Sequence, residues 1–294
     1  MADLSKRLKT NVEGRFFVDS TCIDCDTCRQ LAPATFVEDG QYSTVYHQPE
    51  NTRENFAAYQ ALIACPVGSI GTEKKDPKIF LEAQASFPLH IEGGVYYVGF
   101  NSEKSFGANG YFIQHAQGNW LVDSPRFVKR LVRSFEEKGG VRYIFLSHED
   151  DVADAARYAK HFGATRIIHK ADVSAMPDAE WIIDGEDSIP VTPEFVCIPV
   201  PGHTPGSMAL HYRNRFLFSG DHLWWNRNLQ QLGTPERLVW DDACLKRSVR
   251  KLLNHSFEWV LPGHGERIHL HHRDMKQALD QLLQRRWNFR PFPM

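Results

Sequence analysis

The chain has 294 residues, of which 42% are hydrophobic and 24% are charged, and its formal net charge is -2. This composition is typical of a globular protein with one large domain or two ordinary ones. The small net charge argues against electrostatic attraction to nucleic acid or to an anionic membrane. No stretch approaches the roughly 20 apolar residues of a membrane helix, and residues 1–14 lack the apolar core of a secretory signal. We expect neither nucleic-acid nor membrane partners. The expected location is the cytoplasm, or the plastid stroma if a transit peptide preceded this sequence.

Four of the six cysteines follow a metal-binding pattern. Cys22, Cys25 and Cys28 form a C-x2-C-x2-C run, and Cys65 stands directly before Pro66. Three thiolates on one short loop can take three corners of an iron–sulfur cube, and a distant fourth closes it. A structural zinc site or disulfide bonds would use the same residues. However, zinc with three cysteines in seven residues is unusual, and the pattern indicates metal ligation in a reducing compartment. It predicts a [4Fe-4S] cluster.

This arrangement resembles the single-cluster bacterial-type [4Fe-4S] ferredoxins. The sequence has no second C-x2-C-x2-C run, so all four cysteines are assigned to one cluster. Apolar residues at helical spacing predict a helix around residues 56–63, and a strand pair is predicted at 35–38 and 42–46. Residues 1–88 are therefore predicted to form a small α+β ferredoxin-like domain. With no catalytic residue of its own, it is expected to relay electrons.

Further along the chain, four apolar strands each end in a loop that carries histidine or aspartate. Glycine, proline or a cluster of polar residues ends each strand. The metal-capable side chains on these loops are His148, His203, Asp221 and His264. Functional side chains are often presented on strand-end loops, so the four loops are expected to build one site.

From residue 89 onward, the hydrophobic patterns predict a strand-rich half followed by βαβ units, which together make a layered α/β architecture. The predicted strands are residues 95–100, 110–115, 120–123, 143–146, 166–169, 195–200, 216–218 and 257–261. The predicted helices are residues 127–135, 151–162, 242–253 and 273–286.

Residues 89–294 resemble the metallo-β-lactamase (metallo-hydrolase/oxidoreductase) superfamily. The motifs that carry the resemblance occur in the expected order: Asn109-Gly110-Tyr111-Phe112-Ile113, Leu121-Val122-Asp123, Ser147-His148, Gly202-His203-Thr204-Pro205-Gly206-Ser207, Ser219-Gly220-Asp221 and Pro262-Gly263-His264-Gly265. The resemblance implies an αββα sandwich for this second domain, with a metal site at the edge between its two sheets.

The first metal motif departs from the family pattern H-x-H-x-D-H. His148 keeps the first histidine, Asp150 replaces the second, and Val152-Ala153 replaces the Asp-His pair. Asp154 would replace the lost aspartate if the loop bulged. By this comparison, the second metal position keeps only His264 and a bridging Asp221.

The remaining donors are His148, His203 and Asp221. Two imidazoles and one carboxylate form a facial triad of the type that favours non-heme Fe(II) over zinc. These motif positions are similar to those used by the mononuclear iron persulfide dioxygenases of the superfamily. Asp150 is an expected fourth ligand, because carboxylate at this position also occurs in the diiron flavoprotein branch. We therefore expect one metal ion, and the predicted metal-binding residues are His148, Asp150, His203, Asp221 and His264.

The favoured hypothesis is an oxidoreductase in which the cluster exchanges electrons with this iron. Asp221 and Asp150 are its predicted catalytic residues, and the substrate is a small molecule such as a sulfur compound or a quinone-like or oxygenated metabolite. The segments 224–232 and 237–240 either roof the pocket, which their Trp, Arg and Gln content suits, or pack against the ferredoxin domain.

Two other functions stay open. A zinc-dependent hydrolase would use the cluster for structure or sensing, with Asp221 orienting a metal-bound water. A non-enzymatic electron-transfer protein would hold no metal beyond the cluster. The expected partners are an electron donor or acceptor protein and the small-molecule substrate, and self-association of the chain stays open.

Overall fold

The computed structural model describes residues 2–287, so residues 288–294 of the predicted second domain lie outside it. Its N-terminal unit consists of four short strands and three helices. The strands are β1 Phe16–Val18, β2 Phe36–Asp39, β3 Tyr42–Val45 and β4 Ile70–Thr72, and the helices are α1 Thr27–Leu31, α2 Thr52–Ala64 and α3 Pro77–Ala85. The predicted strand pair is confirmed as the antiparallel pair β2–β3, and β1 pairs antiparallel with β4.

Helix α2 contains the predicted apolar helix and begins at a capping box. The side chain of Asn51 accepts the backbone N–H of Glu54 at 3.0 Å, and the Glu54 carboxylate accepts the backbone N–H of Glu50 at 2.9 Å. These bonds satisfy donors that the first turn leaves without partners. The apolar face of α2, including the fully buried Tyr59, packs onto β1, where Tyr59 meets Phe16 edge to face.

A seven-stranded sheet follows, with its strands lying side by side in chain order. They are β5 Leu89–Glu92, β6 Val95–Tyr97, β7 Tyr111–Ile113, β8 Trp120–Val122, β9 Tyr143–Phe145, β10 Thr165–His169 and β11 Trp181–Ile183. The pairs from β5 to β8 are antiparallel, and those from β8 to β11 are parallel. Helix α4 Lys129–Glu137 makes the crossover from β8 to β9, α5 Ala155–Phe162 makes that from β9 to β10, and the 3-10 helix Lys170–Ala175 lies in the connection from β10 to β11.

A six-stranded sheet forms the other half of the second unit. Its strands, in spatial order, are β12 Ile189–Pro190, β13 Phe195–Pro199, β14 Met208–Tyr212, β15 Phe216–Gly220, β18 Trp259–Pro262 and β19 Ile268–His269. A separate hairpin lies between β15 and β18 in the chain, β16 Trp224–Asn226 with β17 Gln231–Gly233. The last helices are α6 Asp242–Leu252 and α7 His272–Gln284. Of the helices in residues 2–287, none has the length and apolar character that crossing a bilayer requires.

The two sheets pack face to face, with helices on both outer sides. Trp120 of β8 stacks on Phe195 of β13 at 4.3 Å between ring centroids, which joins the inner faces. On the outer side of the first sheet, Phe112 stacks on Phe135 of α4 at 4.8 Å. Ile198 lies on the opposite face of β13 from Phe195 and belongs to the outer core that α6 and α7 cover. The predicted αββα sandwich is confirmed.

The N-terminal unit packs directly on the sandwich. One buried core runs through both units, and Phe87 and Phe100 meet within it edge to face at 5.5 Å. The guanidinium of Arg126 donates to the carbonyl oxygen of Ile63 in α2 at 3.0 Å. The cluster-binding cysteines are therefore held at a fixed position beside the strand ends of the sandwich.

Candidate metal centres

The four predicted cluster ligands surround one small cavity in the N-terminal unit. Cys22, Cys25, Cys28 and Cys65 line it together with apolar side chains, and all four are free thiols. Burial raises the pKa of Cys25 to about 11 and that of Cys28 well above its ordinary value. Four thiolates crowded into an apolar pocket need cations to neutralise them, and iron ions supply that charge. The donor set fits a [4Fe-4S] cluster.

The loop that carries three of these cysteines is fixed by one arginine. Asp24 and Asp26 both have positive φ, at 56° and 66°. The Arg29 guanidinium donates to a carboxylate oxygen of each aspartate at 2.6 Å. These two charge-assisted hydrogen bonds, one to each aspartate, hold the turn that brings Cys22, Cys25 and Cys28 to one side of the cavity.

The loops after β9, β13 and β15 bring a second set of donors together at the edge between the two sheets. Nε2 of His148 lies 3.7 Å from Oδ2 of Asp221, and Nε2 of His203 lies 3.8 Å from the same oxygen. Oδ2 of Asp150 lies 3.7 Å from His148 Nε2 and 3.4 Å from His203 Nε2. Donor atoms bound at about 2.1 Å to one zinc or iron ion lie about 3.0–3.5 Å apart. The observed separations of 3.4–3.8 Å lie within this range or up to about 0.3 Å above it, so these donors can bind one metal ion after a small inward shift.

Each imidazole is oriented by a bond to its other nitrogen. Nδ1 of His148 lies 2.8 Å from Ser147 Oγ, and Nδ1 of His203 lies 2.6 Å from the carbonyl oxygen of Leu238. Both Nε2 atoms are buried and have no hydrogen-bond partner among the described residues. A buried nitrogen without a partner is costly, and a metal ion would satisfy both at once. The residues present therefore fit a metal ion.

A second donor set shares Asp221. Ligand atoms of Asp151, Asp221 and His264 lie within 4.8 Å of one another, and His264 Nδ1 is 2.8 Å from Asp221 Oδ2. Asp151 is fully buried, and neither of its oxygens has a hydrogen-bond partner within residues 2–287. The ligands predicted for this position were His264 and Asp221, and Asp151 was left out of that set because an acid in the run 150–154 could equally cap a helix.

The local geometry explains this omission. The predicted helix over residues 151–162 begins only at Ala155, and Glu149–Asp151 form a 3-10 turn instead. With three residues per turn, consecutive side chains point in three directions, so Asp150 and Asp151 face different donor sets. Asp154 does not replace the lost aspartate, because its carboxylate accepts Lys104 Nζ and the Phe127 N–H, both at 2.8 Å.

Asp172, in the 3-10 helix Lys170–Ala175, holds two of the metal loops together. It is fully buried, and its carboxylate accepts the backbone N–H of Glu149 at 3.1 Å, next to His148. It also accepts Thr204 Oγ1 at 2.6 Å and the Gly206 N–H at 2.8 Å, in the loop of His203. Sequence reasoning missed this residue, because an aspartate in a polar turn carries no signal of such long-range bonds.

Neutral His148 and ionised Asp221 suit metal ligation, whereas Asp221 holds His264 protonated, so His264 would have to lose a proton to bind a metal ion. Burial lowers the pKa of His148 to about 4, which leaves a neutral imidazole. Burial opposes ionisation of Asp221, but the neighbouring His264, His148 and His203 outweigh it and hold its pKa below the ordinary value. For His264 burial is likewise outweighed, and Asp221 raises the pKa to about 10. Neutral imidazole and ionised carboxylate are the forms that bind metals.

One large cavity, of about 1140 Å³, connects the two metal-binding regions. Its wall includes Cys25 of the cluster set and, from the second unit, Asp150, His203, Asp221 and His264. The two segments proposed as a roof do line it, with the side chains Trp224, Asn226, Leu229, Arg237, Leu238, Val239 and Trp240. The first segment also reaches the N-terminal unit, since Arg227 Nη1 lies 3.5 Å from the carbonyl oxygen of Arg29.

Each of the two units is similar to known proteins. Residues 18–72 match the family model described as the 4Fe-4S single cluster domain of Ferredoxin I. A lactamase-like protein of Pestalotiopsis microspora is 25% identical over 188 residues, which cover 60% of this chain and 55% of that protein. The chain thus spans about half the length of this curated relative.

The second unit resembles solved structures of one fold. A chemotaxis sensor solved as a peroxy diiron species has a TM-score of 0.50 and 19% identity, covering 67% of this chain and 94% of the sensor. The DIM-1 metallo-β-lactamase has a TM-score of 0.50 and 16% identity, covering 66% of this chain and 94% of that enzyme. The chain joins a 4Fe-4S single cluster domain to a metallo-β-lactamase fold. The shared cavity therefore lies between the segment that matches the 4Fe-4S family model and the edge of the metallo-β-lactamase fold where the second set of candidate donors meets.

Proposed function

We propose that the protein is an oxidoreductase in which the [4Fe-4S] cluster exchanges electrons with a non-heme iron centre that acts on a small molecule. The observation that carries this proposal is the shared cavity, whose wall contains the cluster ligand Cys25 and the donors His203 and Asp221 at once. A cluster that only stabilised a separate domain would not need to lie beside the cavity in which the substrate binds.

In this proposal His148, His203 and Asp221 hold the iron, and Asp150 closes the donor set from the cavity side. Two imidazoles with carboxylates are a donor set that suits iron used in redox chemistry. When bound, the iron supplies one-electron redox chemistry and a Lewis-acid site for substrate. Ser147 and the Leu238 carbonyl orient the two imidazoles, as their bonds to the Nδ1 atoms indicate.

Within this donor set, the side chain of Asp150 is the most exposed to the cavity. Its side chain is 51% exposed, whereas His148 is almost fully buried. A carboxylate at this place can accept a proton from bound substrate while staying within reach of His203. Asp221 is less exposed and contacts both imidazoles and His264, so its role is to hold the centre together.

The cavity favours a substrate with an apolar body and an anionic group. Trp224, Trp240 and Phe106 supply aromatic wall area, and Phe106 and Trp240 are exposed at 69% and 57%. Arg237 also lines the cavity and forms no ion pair with any residue in 2–287. Apolar walls with a few convergent polar groups are typical of small-molecule sites. An external electron donor or acceptor would complete the cycle, because the cluster carries one electron at a time.

A zinc-dependent hydrolase is the second candidate. The observation that favours it is the second donor set, Asp151, Asp221 and His264, which shares Asp221 with the first. Two adjacent metal positions joined by a carboxylate suit the hydrolysis of an ester or amide by a metal-bound water. In that case the ferredoxin domain would serve structure or sensing.

Metal and sulfide analysis of anaerobically purified protein distinguishes these functions. We expect about five irons and four acid-labile sulfides per chain, or about six irons if the second donor set is also filled. His203→Ala should lose iron from the second domain and keep the sulfide. The matched control is His211→Gln, since His211 is buried and bonded to the Ser256 carbonyl away from the cavity.

Two outcomes contradict the proposal. Roughly four irons with zinc that His203→Ala removes would support the hydrolase. About four irons and no further metal, unchanged in His203→Ala, would leave an electron-transfer protein without a second metal centre.

A further inference from the structure

Gly107, in the loop between β6 and β7, lies directly against the cluster ligand Cys25. A Cβ atom placed at Gly107 would lie 2.7 Å from Cys25 Cβ and 2.9 Å from Cys25 Sγ. It would also lie 3.0 Å from Cγ of Pro66, beside the fourth ligand. These distances are too short for any side chain, and the φ of +88° favours glycine as well. The absence of a side chain therefore lets the backbone touch the cluster site.

The peptide unit that precedes Gly107 faces the other metal centre. The carbonyl oxygen of Phe106 lies 3.4 Å from Nε2 of His264. The other nitrogen of the same ring lies 2.8 Å from Oδ2 of Asp221, the carboxylate shared by both donor sets. One peptide unit therefore touches a cluster ligand on one side and an imidazole bonded to a metal donor on the other.

Hydrogen bonds fix the backbone on both sides of Gly107, whose N–H donates to the carbonyl oxygen of Ser102 at 2.8 Å. Asn101 Nδ2 donates to the Gly107 carbonyl oxygen at 2.6 Å and to Thr27 Oγ1 at 3.0 Å. Thr27, in the cluster-binding segment, also donates to the Gly107 carbonyl at 3.3 Å. On the opposite side, the Asn109 N–H donates to the carbonyl oxygen of Gly263, next to His264. The loop is bonded to both domains within a few residues.

The resulting route is short. With standard bond lengths, the path from Cys25 Sγ through Gly107 and the Phe106 carbonyl to His264 Nε2 is at most about 12 Å long. Two of its steps, which together make up at most about 8 Å, cross non-bonded contacts. A third non-bonded step, the 2.8 Å contact of His264 Nδ1 with Asp221 Oδ2, leads on to the donors of the iron. Cys25 is also the one cluster ligand of the four that lies in the wall of the shared cavity.

We propose that the Phe106–Gly107 peptide is the electron-transfer bridge between the cluster and the metal centre, with Gly107 as the residue that positions it. Electron tunnelling slows steeply with distance and passes more readily through bonds than across gaps. With both groups bound, one electron would leave the reduced cluster through Cys25 and return the cluster to its oxidised state. The same electron would pass through His264 and Asp221 to a ferric ion held by His148, His203 and Asp221 and reduce it to the ferrous state. An external one-electron donor then reduces the cluster again.

This inference rests on the proposed electron exchange, and Gly107→Ala tests it. The added methyl group must push the loop away from Cys25 or Pro66, which lengthens the route. The matched control is Gly40→Ala, since Gly40 lies in the ferredoxin-like domain and also has a positive φ, of +66°, but none of the described residues comes within 4 Å of an added Cβ there. Both variants place alanine in a strained backbone conformation, and only one obstructs the bridge.

The measurement is made on anaerobic full-length protein with the second-domain iron oxidised and no substrate present. The cluster is reduced by a flash-photoreduced deazaflavin, and the loss of the ferric electron paramagnetic resonance signal is followed. We expect the loss to be severalfold slower in Gly107→Ala than in the wild type and unchanged in Gly40→Ala. A redox titration of the cluster in each variant excludes a change of driving force as the cause.

If Gly107→Ala does not bind its cluster, Thr27→Val provides a second test of the bridge. Valine has the size of threonine but removes the hydroxyl that bonds to the Gly107 carbonyl, so a slower transfer is again expected. If the wild type transfers electrons and the loaded variants match its rate at the same cluster potential, the bridge is refuted. If the cluster of the wild type never reduces the ferric centre, the proposed function itself is refuted.

Discussion

The carboxylate of Asp172 is expected to stabilise both metal loops, so Asp172→Ala should lower stability and metal affinity together. The substitution removes an acceptor of three hydrogen bonds, from Glu149, Thr204 and Gly206. Breaking a buried charged network of this kind costs about 3–5 kcal/mol. At about 2–4 °C per kcal/mol, the apparent Tm should fall by roughly 6–20 °C.

The assay is thermal unfolding of metal-loaded protein at one fixed scan rate, followed by analysis of bound metal. The matched control is Asp184→Ala, because Asp184 is 67% exposed and pairs only with an exposed Lys170 in the described part of the chain. An exposed pair contributes about 0–1 kcal/mol, so this Tm should change by about 4 °C or less. Second-domain metal affinity should fall about 10–100-fold in Asp172→Ala alone. Equal Tm values for the two variants, with equal metal content, would refute the reasoning.

Two further predictions concern the core and an ion pair. Trp120→Ala should cost about 3–5 kcal/mol, because Trp120 is 1% exposed and joins the two sheets, whereas Trp240→Ala, at a 57% exposed position, should change stability little. Thermal unfolding measures both, and equal losses would contradict the packing argument. Hydrogen bonds from Arg166 lower the pKa of Glu180 to about 2, whereas it is about 4.3 in the unfolded chain. The ionised carboxylate therefore stabilises the fold above about pH 4.3, and this contribution is lost as the pH falls towards 2. Glu180→Gln should therefore lower Tm at neutral pH, and its difference from the wild type should shrink as the pH falls from about 5 towards 2. A difference that grew on acidification would contradict this assignment.

The fold was largely predictable, because its signals are local. The period of apolar residues predicted the inner strands, and β13 and α4 occur close to the predicted residues. The loops with His148 and His203 were predictable for a similar reason, since glycine, proline and polar residues mark the strand ends. The cysteine spacing likewise predicted the domain that the 4Fe-4S family model matches.

The remaining parts of the site depend on contacts between distant segments. Asp151 was missed because one turn of 3-10 helix, rather than an α-helical start, decides which acid faces the donors. Asp172 bonds to residues 23 to 34 positions away, and such bonds have no periodic signature. Gly107 looks like an ordinary loop glycine in the sequence. Its contact with Cys25 exists only because the two domains pack against each other.

The central claim is that the cluster and the second metal centre exchange electrons within one chain. The most direct test is the rate at which the ferric signal of wild-type protein disappears after flash reduction of the cluster, measured over a wide range of protein concentrations. The account predicts a first-order rate that does not depend on concentration, because the route through Gly107 lies within the molecule. A rate proportional to protein concentration, or a ferric signal that persists while the cluster stays reduced, would contradict it.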